Sequence, residues 1–435
     1  MPAVCFYFQV HQPYRLRRYS YFDVEKATTY FDENLNRSIM EGVATRCYLP
    51  TNERLLRMLR EHDGAFKIAF SISGTAIEQM REYAPEALQS FRTLAETGHV
   101  EFLGETYYHS LASLYNREEF ESQVLLHAEC VEREFGQRPR VFRNTELIYN
   151  DEIGQRAGEL GFRGVLAEGV SDVLGWRSPH FVYRVPGATT KMLLRSFKLS
   201  DDIAFRFTHR DSNDSQSLTP DQFATSLHAL SGNADVVGLF LDYETFGEHH
   251  RKETGILDFL EALPRHTILQ REWKFLTPSE AIRLFSPVSE LSFPRTTSWA
   301  DIERDVSAWC GNMMQRAALG EVYNTDKLYA GCDLSAPDMA LARETWRRLQ
   351  TSDHFYYMST KGDGDGVVHR YFSPFESPYD AFVAYMNVLK DINARCRRVV
   401  AERDRRPASN ETTQNNASAS FCIGVKPLWS QQPEK

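Results

Sequence analysis

Residues 234–250 read ADVVGLFLDYETFGEHH, an unbroken apolar run that stops in a cluster of acids and histidines. The run 236–241 is continuous rather than alternating, the pattern of a parallel strand covered on both faces. Asp242 and Glu244 follow two residues apart, so in an extended chain both carboxylates project to one side. A strand ending in paired acids is either reaching solvent or delivering carboxylates to a site. A second acid placed the same way elsewhere in the chain favours the site.

Outward from this stretch, strand-like and helix-like segments alternate. The aromatic run 4–10 ends at His11-Gln12-Pro13, where the proline stops the strand and leaves His11 at its carboxyl end. A helical pattern at 53–62 then precedes a strand at 67–73, and a helix at 85–97, closed by Gly98, precedes a strand at 100–103 that carries Glu101. The helix 117–135 ends at Gly136, and the short strand 140–144 delivers Thr145 and Glu146. A helix at 151–160, a strand at 164–167, extended segments at 181–185 and 191–196, a polar loop at 211–220 and a helix at 221–230 lead back to the strand at 236–241. About seven such steps imply an α/β fold, a parallel sheet closed into an incomplete TIM-like barrel.

Chemistry in such barrels sits at the carboxyl ends of the strands, where the connecting loops converge. His11, Glu146 and Asp242 each fall just after a strand, and Glu101 lies near the end of one, so four polar residues on separate strands face one mouth. Glu146 and Asp242 could supply the carboxylate pair of glycoside hydrolysis, one group attacking or stabilising the sugar carbon, the other protonating the leaving oxygen. From the residues alone, another barrel enzyme or a binding protein remains open.

Composition narrows the partners. With 50 basic and 59 acidic residues the formal charge is −9, which argues against nucleic acid or an anionic membrane. Seven scattered cysteines with no CxxC pair suggest reduced thiols and neither a disulfide framework nor a zinc knuckle. The first residues have no basic region ahead of an apolar core, and no stretch reaches the length of a membrane span, so a cytoplasmic protein is expected. Among 13 histidines no two lie three or four apart, which disfavours a metal-dependent deacetylase, and no GxSxG elbow suggests a serine hydrolase. No metal and no cofactor are expected.

Five strings then carry a family resemblance: FQVHQPYRL at 8–16, HVEFLGETYYHS at 99–110, FRNTELIYND at 142–151, LDYETFGEH at 241–249 and SWADIERDVSAWCGNMMQ at 298–315. In this order they resemble the motifs of glycoside hydrolase family 57, the last being similar to its α-amylase branch. The resemblance implies a (β/α)7 barrel followed by an α-helical region, and retaining action on α-1,4-glucans such as starch, glycogen or maltooligosaccharides. It implies Glu146 as nucleophile and Asp242 as general acid/base. His11, Glu101 and Glu244 match positions lining the sugar subsite at the cleavage point. Glu105 and His109, in the second motif, are candidates for the cleft, and the motif match makes Trp299 and Trp309 candidate sugar-stacking residues. A 4-α-glucanotransferase with the same first half-reaction, or a non-catalytic glucan-binding protein, is the alternative.

The expected domains are a catalytic barrel over 1–286, a helical domain over 287–402 that completes the substrate cleft, and a disordered polar tail over 403–435. Within the helical part, a long helix is expected at 299–319, with others at 337–349 and 378–393. The string KGDGDG at 361–366 lacks the remaining ligands of a calcium loop.

Overall fold

A computed structural model of the chain describes residues 1–27, 29–208, 217–269, 273–329, 337–362 and 373–405. It divides into two compact units, one of Met1–Arg15 with Asp32–Ala308, the other of Leu16–Phe31 with the described residues from Trp309 onward.

The first unit is built on a nine-stranded sheet: β1 (Ala3–Val10), β2 (Ile68–Ile72), β3 (Val100–Phe102), β4 (Val141–Arg143), β5 (Gly164–Glu168), β6 (Tyr183–Arg184), β7 (Lys191–Arg195), β8 (Val236–Asp242) and β9 (Lys274–Phe275). Seven strands run parallel in the order β3-β2-β1-β8-β7-β5-β4, while β9 adds to the start of β1 and β6 pairs antiparallel with β7. The two ends of this order meet at Gly104, which follows β3 and bridges to Phe142 of β4. The sheet therefore curls into the expected seven-stranded barrel. The seam between β7 and β8 is thin, a single register pair of Arg195 with Gly238.

Period-two alternation sorts every strand into an inner and an outer row. Along β1, Val4, Phe6, Phe8 and Val10 pack outward against helices, whereas Cys5 and Tyr7 join Ala69, Leu103, Val141, Leu166, Leu193 and Phe240 in the barrel interior. Both rows of β1 and the apolar part of β8 are buried, as their continuous hydrophobicity requires. Continuing the inner row brings Gln9 of β1, Arg143 of β4 and Asp242 of β8 to the top of the same interior.

The surrounding helices begin at the capping residues the sequence provides. Asn116 accepts from Glu119 N at the start of Arg117–Phe135, and Gly136, at φ 67°, closes that helix in the left-handed region. Thr219 forms a capping box ahead of Pro220–His228. Helices at Glu33–Val43, Gly74–Tyr83 and Ile256–Leu269 were not legible from periodicity, the last because Pro264 interrupts its pattern.

The expected long helix at 299–319 does not form as one piece. Asp301 and Arg304 adopt positive φ of 55° and 50°, and Asp305 Oδ1 accepts from the amide and hydroxyl of Ser307, so a helix starts only at Ser307–Cys310 and a second at Met313–Tyr329. In the second unit, Pro337–Leu349, Ser352–Tyr356 and Pro378–Arg405 are helical. There the Trp346 indole donates to Val322 O at 2.7 Å, and buried Asp391 receives the hydroxyls of Tyr19 (2.7 Å) and Tyr30 (3.0 Å). The last helix runs through Arg405, three residues into the expected tail. The rest of that tail, most of KGDGDG and positions 211–216 of the polar loop lie outside the described residues. Among the described residues no helix is long and apolar enough to cross a membrane.

Candidate active site

Glu146 follows β4 after two residues and sits at φ 56°, ψ 27°, with Leu147 also left-handed at φ 49°. Two adjacent side-chain-bearing residues in this region cost roughly 1–3 kcal/mol each. The turn is held by Asn144 Nδ2 donating to Ile148 O (2.9 Å), by the Thr106–Thr145 hydroxyl pair (2.8 Å), and by the amides of Tyr149 and Thr297, each donating to the other's carbonyl. Its effect is to turn the Glu146 carboxylate toward the barrel mouth.

Side-chain donors come to both oxygens of that carboxylate. Oε2 accepts from the Trp299 indole Nε1 at 2.7 Å, and Oε1 lies 3.3 Å from His109 Nε2. The other His109 nitrogen, Nδ1, is 2.8 Å from Glu105 Oε2, while Glu105 Oε1 accepts from Gln9 Nε2 (3.2 Å) and Ser71 Oγ (3.0 Å). Burial opposes charge on His109, but bonds to two carboxylates win and hold it as imidazolium up to about 9. Burial likewise pushes Glu105 up, yet His109, His127 and Arg143 bring it down to about 2. Burial holds His127 below its ordinary value, with Nε2 2.9 Å from Ile72 O and Nδ1 accepting from Glu105 N at 3.2 Å.

The two carboxyl groups implied to do the chemistry are pushed in opposite directions. For Glu146, burial raises the proton affinity, but the His109 bond and charge, Arg143 and the Trp299 indole outweigh it and leave the group below its ordinary range. Asp242 is driven up to about 6, first by burial and then by the charge of Glu146, with Arg143, Arg195 and His109 opposing. On the acid side of about 6, Asp242 still holds its proton while Glu146 is the more readily ionised of the two, the division of labour a two-carboxylate mechanism needs. Glu244 lies within the 3-10 turn Tyr243–Thr245, so the chain is not extended there. Burial and then Asp242 raise it to about 8, and it accepts from the Tyr48 hydroxyl at 2.6 Å.

The remaining sequence candidates divide. His11 belongs with the cluster, its ring stacked on His109 at 4.0 Å and its Nδ1 2.7 Å from Ser73 Oγ. Glu101 does not. It lies in register with Ala69 and hence Tyr7, two residues below the level of Gln9 and Asp242, or about 7 Å along the strand. Its carboxylate accepts from the amide of Ser279 at 2.8 Å and from that residue's hydroxyl, capping the helix Pro278–Leu284. The chain continues past β3 to the Gly104 bridge, which makes Glu105 the acid at the mouth. Trp309 belongs to the second unit, buried with its ring 6.3 Å from Tyr356.

Sequence reasoning missed Arg143 and Arg195. Arg143 is fully buried with its guanidinium 4.8 Å from the Trp299 ring centroid, and Arg195 is 5.8 Å from the same centroid. Arg195 also bonds Glu168 (3.1 Å), Asp201 (2.6 Å) and Phe240 O (2.9 Å). Each arginine ends a strand on the inner row, a position the alternation of β4 and β7 could have flagged.

The loop after Asp242 is anchored by Gly247, at φ 116°, where an added Cβ would lie 2.1 Å from Arg46 O. Gly247→Ala is expected to lower stability by about 2 kcal/mol or more, read as a drop in Tm. An unchanged Tm would show that the loop accommodates the methyl group. Among the described residues no group of three or more His, Cys, Asp or Glu side chains is arranged to hold a metal ion.

With this geometry in place, a family model and one relative show the family to which the chain belongs. The family model described as glycosyl hydrolase family 57 matches residues 5–294. A protein of Methanocaldococcus jannaschii named "Putative alpha-amylase" is 40% identical over 410 residues, 92% of this chain and 86% of that protein. Among solved structures, a 4-alpha-glucanotransferase of Thermococcus litoralis superposes with a TM-score of 0.65 at 15% identity, covering 91% of this chain and 60% of the other. A branching enzyme of the same family from Thermococcus kodakaraensis gives a TM-score of 0.61 at 15% identity, covering 92% and 95%. At these identities the two structures speak for the fold alone.

Proposed function

Since the chain belongs to glycosyl hydrolase family 57, we propose that this glycoside hydrolase is α-amylase-like, cleaving internal α-1,4 bonds of starch, glycogen or maltooligosaccharides with retention through a glycosyl–Glu146 intermediate. The observation that carries the reading is the convergence of Glu146, Asp242, His109 and Arg143 in one cluster, which pushes the two carboxyl groups in opposite directions.

In the first step Glu146 attacks the sugar carbon while Asp242 gives its proton to the leaving oxygen. The ester removes the Glu146 charge, which is the second cause of the raised Asp242. Asp242 thereby becomes easier to ionise once it must act as base toward water. His109 and Trp299 hold the Glu146 oxygens in place, and Glu244, carrying its proton near neutrality, has an O–H to offer a sugar hydroxyl. The reading includes a cytoplasmic location, which the reduced, buried thiols of Cys5, Cys47 and Cys130 support.

A 4-α-glucanotransferase shares the first step and differs only in whether water or a sugar hydroxyl accepts the glycosyl group. Incubation with maltoheptaose separates the readings. Hydrolysis yields shorter chains with a rise in reducing ends. Products both longer and shorter than the substrate, without that rise, would replace hydrolysis by transfer. No change at all would leave only binding.

A further inference from the structure

We propose that Arg143 is a positioning residue for the catalytic pair: its buried guanidinium, stacked under Trp299, fixes the indole that donates to Glu146 and supplies the positive charge at the centre of the site. The inference rests on the glycosidase reading above and deepens it.

Three observations carry it. All three guanidinium nitrogens of Arg143 are buried, and among the described residues no group accepts a hydrogen bond from them. Arg15, whose Nε is also orphaned, still bonds through its other nitrogens to Pro13 O and Gln12 Oε1. A buried charge with no hydrogen bond is a liability to folding, and replacing it by an apolar side chain of similar volume is commonly neutral or stabilising. A group kept at such a cost to stability points to function. Next, the guanidinium lies 4.8 Å from the ring centroid of Trp299, within the range of a cation–π contact, and the same indole donates to Glu146 Oε2 at 2.7 Å. Last, the Trp299 backbone is held independently, since its amide donates to Glu146 O at 3.3 Å and Arg304 Nη1 donates to its carbonyl. What Arg143 adds is therefore ring orientation and charge.

The charged groups around the site set the sign of the effect. Arg143 lowers the proton affinity of both Glu146 and Asp242. From β3 and the segment after it come Glu105 and His109, from β1 Tyr7 and His11, and from β8 Glu244 beside Asp242. Also near Trp299, Arg195 and Arg304 are matched by Glu168 and Asp201. Of the cations at this centre, Arg143 is, among the described residues, the one whose nitrogens bond no carboxylate.

The test is the pH profile of kcat/KM for reducing-end release from maltoheptaose by R143M, R143K and W299F, with Tm measured alongside. The wild type should give a bell whose acid limb reports Glu146 and whose alkaline limb reports Asp242. In R143M both limbs should move to higher pH, by about one pH unit, with Tm unchanged or raised. R143K, which keeps the charge, should restore the limbs most of the way. W299F removes the indole donor but not the guanidinium, so its acid limb alone should rise. Limbs in R143M that coincide with the wild type, whatever its Tm, overturn the proposal. Should R143M not fold, an unmoved acid limb in W299F overturns it equally. Inactive wild-type protein would instead refute the glycosidase reading, so the two failures are distinguishable.

Discussion

Glu146→Ala is expected to lower kcat on maltooligosaccharides by about four orders of magnitude or more while Tm stays within a few degrees of the wild type. The side chain is at the barrel mouth, 22% exposed, and its partners keep others: His109 retains Glu105, and the Trp299 amide bonds the Glu146 carbonyl, which alanine still provides. Alanine meets the same left-handed backbone that glutamate does, so the turn gains no new strain. With an α-glycosyl fluoride and azide, the cavity left by the carboxylate admits a single displacement at the sugar carbon. Fluoride leaves, the C–N bond forms, and the product is the β-glycosyl azide. A variant that keeps more than a few per cent of wild-type turnover would remove Glu146 from the nucleophile's role.

Asp242→Ala should lower kcat on unactivated glucans by about 10²–10⁴, and much less on the α-glycosyl fluoride, whose leaving group needs little proton assistance. Azide should accelerate this variant too, but by intercepting the glycosyl enzyme after two displacements, so its product is the α-glycosyl azide. The anomer formed by each variant therefore assigns the two roles independently of rate. In the wild type the acid must carry a proton for the first step. Asp242 holds it below about 6 and loses it as pH rises through that value, so the activity that depends on it is present on the acid side and declines on the alkaline side. The nucleophile, held below its ordinary range by His109, Arg143 and Trp299, stays ionised well into the acid side. An alkaline limb unchanged in position and depth by Asp242→Ala would sink the assignment.

The same electrostatics bears on folding. His109 is raised in the folded state, so its pairing with Glu105 and Glu146 stabilises the fold fully below its ordinary value and is lost as pH rises through about 9. Glu105 is depressed, so its contribution is present above the ordinary glutamate range and is lost as pH falls toward about 2. The triad is thereby intact across the range in which Asp242 titrates.

The legible part of this protein was whatever repeats along the chain with a period that geometry enforces. A continuous apolar run such as 236–241 has to be a strand covered on both faces, and helices between such runs leave a parallel curled sheet as the arrangement that buries them. The residue that ends a strand then has a predictable height, which is why Glu146 and Asp242 could be named from position and His11 with them. Glu101 went astray because β3 is extended by the isolated bridge at Gly104, a pairing across the barrel seam that leaves no mark in local sequence. The kinked path at 299–306 was likewise hidden, since Asp301 and Arg304 take left-handed conformations in answer to tertiary partners of Arg304 such as Asp201.

By itself, then, the sequence determined the barrel, the order of its motifs and the strand ends that carry Glu146 and Asp242, because strand and helix periods and strand-end positions are local properties of the chain. Only the tertiary structure decided that the proton affinities of Glu146 and Asp242 move in opposite directions, that Glu105 rather than Glu101 lies beside His109, and that Arg143 packs against Trp299. Proton affinity and orientation depend on burial and on charges brought together from residues over a hundred positions apart, and no local pattern encodes that sum.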